Sequence, residues 1–240
     1  RRIERLRAEM RVDSIIELAP RVFHDETFHD RALSILTVSV SELFRDPPMY
    51  DYIHQEILPW LESFPRFSIW VVGCASGEEP YSLAIILKEA GLLERAQIYA
   101  TDISPQALAQ AKTGIIGAPL SKEDVRRYQE SGGGASLLDY FTSAHGYSKL
   151  HDDLLRKIYF EHHDVINQQA VVSAQLVLCR NVLIYFNREL QQHTINRLDE
   201  SLAGGNYLII GPKETLSESS RLRFQCRNAN MNIWQKCRDS

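Results

Sequence analysis

Residues 70–82 read Trp-Val-Val-Gly-Cys-Ala-Ser-Gly-Glu-Glu-Pro-Tyr-Ser: an apolar run, a glycine-containing turn and, at once, the start of a helical pattern. The run begins at Phe67 and has the length and uniform apolarity of a strand buried on both faces. The helix expected from Pro80 stops at Gly91, a residue suited to a left-handed cap. Gly73 and Gly77 let a ligand approach the backbone at the carboxyl edge of a sheet, where open α/β folds bind their ligands.

The pattern repeats outward from this point. A second strand is expected over 97–102, then a helix over 104–114 with Ser104 as cap and Gly114 as stop. Further strands are expected at 157–161, 175–180 and 205–211, with a helix over 187–204. Two short strand-like runs, 221–226 and 231–236, lie too close together for a crossover helix and predict an antiparallel edge. This alternation predicts an α/β fold with a mostly parallel, Rossmann-like sheet covered by helices on both faces. The first sixty or so residues read instead as helical. Ile3, Leu6 and Met10 recur at helical spacing, Arg7 and Arg11 lie a turn apart on another face, Asp13 is read as a cap, and Asp46-Pro47 opens a further helix. The expected division is a helical unit over 1–62 and an α/β domain over 63–240. Around 120–156 lies an insertion with glycines at 132–134 and a Tyr- and Ser-rich run, read as a surface excursion.

The chain carries 27 Lys and Arg against 31 Asp and Glu, a net charge of −4, so no global charge argues for a nucleic-acid partner. No apolar run approaches the roughly 20 residues of a membrane helix, and the start lacks the layout of a signal peptide. Cys74, Cys179, Cys226 and Cys237 are scattered without metal-like spacing and are expected to be buried, reduced thiols of a cytoplasmic protein. No metal site is expected either from His162-His163-Asp164, because neighbours on a strand point to opposite faces. Ser82 has no nucleophile elbow around it. There is no oligomer signal, and a monomer is expected.

The start of the helix after Gly77 carries Glu78 and Glu79. Two carboxylates there repel phosphate and suit a cation, and the G-x-G-x-x-G spacing of dinucleotide sites is missing. A nucleoside bearing an ammonium or sulfonium fits better, although the pair also complements its own helix dipole. Asp102, about 25 residues after Gly77, ends the second strand where a carboxylate commonly takes ribose hydroxyls; capping of the next helix is the other reading. Together these residues suggest an S-adenosylmethionine pocket.

Five blocks carry a family resemblance: Leu-Thr-Val-Ser-Val-Ser-Glu-Leu-Phe-Arg-Asp at 36–46, Gly-Cys-Ala-Ser-Gly-Glu-Glu-Pro-Tyr-Ser at 73–82, Thr-Asp-Ile at 101–103, Cys-Arg-Asn-Val-Leu-Ile-Tyr-Phe at 179–186 and Gly-Pro-Lys-Glu at 211–214. Over nearly its whole length the chain resembles the CheR-type chemoreceptor glutamate methyltransferases. The resemblance implies a small all-helical N-terminal domain joined to a class I methyltransferase domain, with a small inserted β-subdomain. The implied activity is methyl transfer from S-adenosylmethionine to glutamate side chains of a receptor. By position, Glu78 is implied to bind the methionine ammonium and Asp102 the ribose. Asp164 and Val165 are implied at the adenine, and Asn181 and Val182 line the same pocket. Ser39, Ser41 and Arg45 reach the cofactor from the N-terminal side, and Arg45 and Tyr185 lie near the transferred methyl. The basic first helix, with Arg7 and Arg11, is implied to face the acidic methylation region of a chemoreceptor; a solvated face is the other reading. Ser39 and Asp164 stand where many relatives have Asn, and Ser41 where Thr is common. The inserted stretch shows no three-strand pattern, so nothing in it announces the β-subdomain. A cofactor-binding module without turnover, and a methyltransferase for another protein or a small carboxylate, remain the alternatives.

Overall fold

Strands that are apolar along their length can bury both faces only if two layers of cover exist, and the computed structural model supplies both. It describes residues 2–10, 12, 14–25, 28, 32, 41–144 and 146–238. Among these, seven strands form one sheet: β1 (Phe67–Val72), β2 (Ala96–Asp102), β6 (Ile158–His162), β7 (Ala174–Cys179), β8 (Leu202–Ile210), β9 (Phe224–Asn228) and β10 (Ile233–Lys236). Their order is β6-β2-β1-β7-β8-β10-β9. The first five of these neighbours run parallel, and β10 pairs antiparallel with both β8 and β9. The antiparallel edge expected from the closing residues is present. Residues 218–221, however, form a helical turn, and the strand expected from 221 starts at Phe224.

The period of two sorts each strand between two cores. Ile69 and Val71 of β1, Leu176 and Leu178 of β7, and Tyr207 and Ile209 of β8 pack in one cluster. Trp70, Val72, Val177, Cys179, Leu208 and Ile210 pack in the other. The first cluster is covered by α5 (Glu78–Glu89) and by the segment from α3 (Pro47–Tyr52) through a π-helical turn (Ile53–Ile57) to α4 (Leu58–Glu62). The second is covered by α9 (Arg188–Glu200). Met49, Tyr50, Ile53, Ile57, Leu58 and Leu61 thus belong to the core of the sheet. A separate small cluster of Leu6, Met10, Val12, Leu18 and Ala32 joins α1 (Arg2–Glu9) and α2 (Ile15–His24). The cap of α2 is Ser14, whose hydroxyl accepts the Glu17 N–H at 3.4 Å; Asp13 lies outside the described residues. The helix α6 (Pro105–Thr113) starts and stops as expected, with Ser104 as cap and Gly114 left-handed at φ 69°.

The insertion does contain a β-subdomain, which corrects the reading of a patternless excursion. β3 (Ile115–Ile116), β5 (Tyr147–Leu150) and β4 (Phe141–Ala144) form an antiparallel three-stranded sheet, with α7 (Lys122–Glu130) between β3 and β4 and the short α8 (Asp152–Leu155) after β5. Glu89, at the end of α5, ties it down by accepting the Tyr140 hydroxyl at 2.7 Å and the Tyr128 hydroxyl.

The cysteines divide. Cys74 and Cys179 are buried, and burial pushes their thiols up. Cys226 and Cys237 are exposed, contrary to the expectation of four buried thiols. No helix among the described residues is long and apolar enough to cross a membrane.

Candidate active site

The strand order reverses at β1. The chain builds β2 and β6 on one side of it, then returns to lay β7 on the other, so the loops after β1 and β7 part above the sheet and leave a crevice. Such a switch point is where doubly wound folds hold ligands. A cavity of about 170 Å³ lies there, lined by Ser41 and Arg45 from the N-terminal side, by Gly73, Cys74 and Ala75 after β1, and by Asn181, Ile184 and Tyr185 after β7.

Close approach of the two loops depends on Gly73. Its φ is 71°, and a Cβ added there would stand 2.5 Å from Cγ2 of Val182. The Gly73 and Cys74 N–H groups donate to the Thr101 carbonyl at 2.7 and 2.9 Å, which locks the turn to β2. Gly77, at φ 102°, allows the Tyr81 ring to lie 2.6 Å from where its Cβ would be. Gly73→Ala is therefore expected to cost about 2–4 kcal/mol, from the left-handed backbone and the overlap with Val182 together. Tm should fall by roughly 5–15 °C, and Val182→Ala should restore part of it. Unchanged thermal unfolding of the single variant would refute this account of the turn.

The two glutamates, read from sequence as one acidic pair, have separate roles. Glu79 is ion-paired with Arg180, whose side chain is 4% exposed and also bonds Asp46 at 2.5 Å and the Arg45 carbonyl at 3.2 Å. The ion pair that joins the N-terminal segment to the sheet thus belongs to Arg180. Glu78 is also buried, but among the described residues no cation pairs with it; its Oε2 accepts the Ser76 hydroxyl at 2.7 Å. Burial raises the Glu78 carboxyl above the usual range, against hydrogen bonds from Ser76 and Ser41. An anion out of water without a counter-charge is an incomplete arrangement, and a ligand cation completes it.

Asp102 ends β2 beside this turn. Its Oδ2 accepts the Ala75 N–H at 2.8 Å and its Oδ1 the Ser104 N–H at 2.8 Å. It therefore braces the glycine turn and precedes the helix cap, which is Ser104. Burial raises its carboxyl too, against those N–H donors. Each oxygen keeps a lone pair for a ligand hydroxyl.

Arg45 and Tyr185 reach the cavity from different segments, one before β1 and one after β7. Arg45 sits between Phe44 and Asp46, whose φ angles of 51° and 61° are left-handed. Tyr185 closes a 3₁₀ turn (Leu183–Tyr185) and is 48% exposed at the cavity mouth. That turn is held by Glu214, a buried carboxylate accepting the N–H groups of Asn181 at 3.1 Å, Ile184 at 3.3 Å and Gly211 at 2.5 Å. Asn181 itself is left-handed at φ 60°.

Residues 39–233 match the model of the CheR methyltransferase, SAM binding domain. The chain belongs to the CheR methyltransferase family. It is 39% identical to the Pseudomonas putida protein described as methyltransferase Cher3, over 86% of this chain and 76% of that protein. It is 31% identical to the chemotaxis protein methyltransferase of Listeria monocytogenes, over 80% of this chain and 71% of that one. A 104.1 kDa protein of Rhodobacter capsulatus is 26% identical over 99% of this chain but only 25% of its own length, so the same unit also occurs inside a much longer polypeptide.

As a CheR-family enzyme the chain uses S-adenosylmethionine as methyl donor, and the seven-stranded domain is a class I methyltransferase fold. The residues around the crevice fit that molecule. The cavity itself is also lined by Glu79 and Arg180, which neutralise each other. Glu78 and Asp102 lie beside it at the glycine turn, Glu78 with a carboxylate that no cation pairs among the described residues and Asp102 with one that accepts the Ala75 N–H. The other expected residues are distributed as follows. Val182 packs on Gly73, while Val165 is buried in the core with Trp70 just beyond β6. Asp164 follows β6, which runs beside β2, but its carboxylate already accepts the Ile166 N–H at 2.9 Å and the Asn167 side-chain amide at 2.7 Å. Ser39 and Arg11 lie outside the described residues, and Arg7 on α1 pairs with Glu4 at 3.1 Å. His162 and His163 engage the backbone carbonyls of Ile103 and Gln169 respectively. Arg180 and Glu214 were not among the expected site residues, although both lie inside the matching blocks. Spacing does not reveal that residues 134 apart, Asp46 and Arg180, share a charge.

Proposed function

We propose that the chain methylates glutamate side chains of a chemoreceptor or a related signalling protein, giving glutamate methyl esters. The observation that supports this best is the convergence of Arg45 and Tyr185 on one small cavity beside the glycine turn. In this reading Glu78 holds the ammonium of the donor and Asp102 its ribose. Asn181, with Val165 and Asp164 beside β6, surrounds the adenine, and Ser41 adds a hydroxyl from the N-terminal side. The bound donor supplies an electrophilic methyl on a sulfonium. When bound there it would offer that methyl with a neutral thioether as leaving group, and the chain's own residues would set the line along which the substrate carboxylate approaches.

A glutamate with an ordinary pKa near 4.3 is ionised at neutral pH, so the protein needs no general base. Its contribution is alignment, which can supply about 7–11 kcal/mol of the barrier. Arg45 orients the incoming carboxylate, and Tyr185 walls the slot. The basic first helix, with Arg7, is the docking surface proposed for an acidic receptor segment.

The state of Glu78 gives a pH test. The binding form is the carboxylate, and its folded pKa lies above the usual Glu value. Affinity for S-adenosylhomocysteine, which keeps the ammonium, should therefore be full above that raised pKa. It should weaken as pH falls through that raised range, by at most about tenfold per pH unit for one proton. Calorimetry in buffers of different ionisation enthalpy should show proton release on binding that grows as pH falls toward the raised pKa. Affinity that is flat across the acid range would remove Glu78 from the ammonium site.

A further inference from the structure

Arg45 lies between two non-glycine residues in the left-handed region, Phe44 at 51° and Asp46 at 61°. A backbone of that kind persists only where its surroundings hold it. Two groups do so. The Ser82 hydroxyl on α5 accepts the Phe44 N–H at 2.9 Å. The Arg180 guanidinium bonds the Arg45 carbonyl at 3.2 Å and the Asp46 carboxylate at 2.5 Å, and reaches Glu79 on α5 with its other nitrogen.

We propose that Arg180 is a positioning residue for methyl transfer, a buried three-way clamp that fixes the loop carrying Arg45 against α5. The proposal rests on the reading that Arg45 orients the substrate carboxylate. Three features of the structure carry it. The guanidinium bonds the backbone of Arg45 itself at the edge of the cavity that both residues line, so release of the clamp frees Arg45. Its charge is matched by Glu79 and Asp46, which leaves Glu78, one residue away on the same helix turn, without a cation. And the fork geometry is one that a lysine ammonium does not reproduce, since planar donors must reach a carbonyl and two carboxylates from a single buried position.

The test compares Arg180→Lys and Asp46→Gly in the full chain. Asp46 is 45% exposed, and glycine accepts its backbone angle, so that variant removes one leg of the clamp without adding strain. Misplacement of about 1 Å costs on the order of 100-fold in rate. Arg180→Lys is therefore expected to lower kcat about 100-fold and Asp46→Gly about tenfold, both keeping S-adenosylhomocysteine affinity within about threefold. In an Arg45→Ala background, followed in single turnovers with excess enzyme, Asp46→Gly should have no further effect, because a clamp acts only through the residue it holds. If Arg45→Ala is impaired while both clamp variants turn over like wild type, or if Asp46→Gly multiplies the Arg45→Ala defect, the clamp is wrong and the reading of Arg45 stands. Wild-type turnover by Arg45→Ala would overturn the reading itself. Should Arg180→Lys fail to fold, Asp46→Gly alone decides.

Discussion

Arg45→Ala is expected to lower kcat for methyl transfer by about 10²–10³-fold, the loss seen when one preorganised polar group is removed from a developing charge shift. Affinity for S-adenosylhomocysteine should stay within about threefold, since the cofactor's charged end is assigned to Glu78 and not to Arg45. Arg45 and Tyr185 line the same cavity of about 170 Å³. Without the guanidinium the incoming carboxylate has nothing to fix its angle to the methyl, and the gain from alignment is lost while the binding of the donor is not. Steady-state kinetics with tritiated donor, together with calorimetry, separate the two quantities. Equal losses in both would make Arg45 part of the cofactor site and no more.

The second large effect is expected at Glu78, with opposite signs in function and stability. In the free protein its carboxylate is buried and hydrogen-bonded to Ser76, with no cation against it among the described residues. Its folded pKa lies above the unfolded value. The native state therefore binds more protons than the unfolded state between the two pKa values, and stability falls as pH rises through that window. Above that window the charge is thus a net cost to the fold. Glu78→Gln keeps the acceptor for Ser76 and removes the charge. It should leave Tm of the free protein unchanged or higher by a few degrees, about 2–4 °C for each kcal/mol recovered. Cofactor affinity should fall at least about 100-fold, because a buried ammonium left without its counter-charge costs roughly 3–5 kcal/mol. A variant that loses stability and keeps affinity would show that Glu78 serves its own helix and not the ligand.

Much of the fold was legible because the strands are buried on both sides. The run from Phe67 to Val72 feeds one core with Ile69 and Val71 and the other with Trp70 and Val72, so its apolarity is uninterrupted and easy to read. The β-subdomain was not legible for the opposite reason. Its strands are two to four residues long, and the buried centre of β5 is Ser148, whose hydroxyl accepts the Leu120 N–H at 3.2 Å in place of an apolar contact. The strand signal there is carried by hydrogen bonds that a hydropathy pattern does not contain. The site shows the same division. Gly73, Glu78 and Asp102 announce themselves because each sits at the end of a readable strand or the start of a readable helix. The partition between Glu78 and Glu79 does not, because it depends on Arg180 arriving from a strand a hundred residues later.

The most direct measurement is the chemical nature of the transferred methyl. The chain, tritiated S-adenosylmethionine and a Glu-rich helical receptor fragment are incubated together, and the labelled fragment is treated with mild alkali. A carboxyl ester releases its label as volatile methanol, while a methyl on nitrogen or carbon does not. The account predicts alkali-labile label on glutamate, greatly reduced with Arg45→Ala. Label that survives alkali, or none at all from a chain that binds the donor, would contradict it.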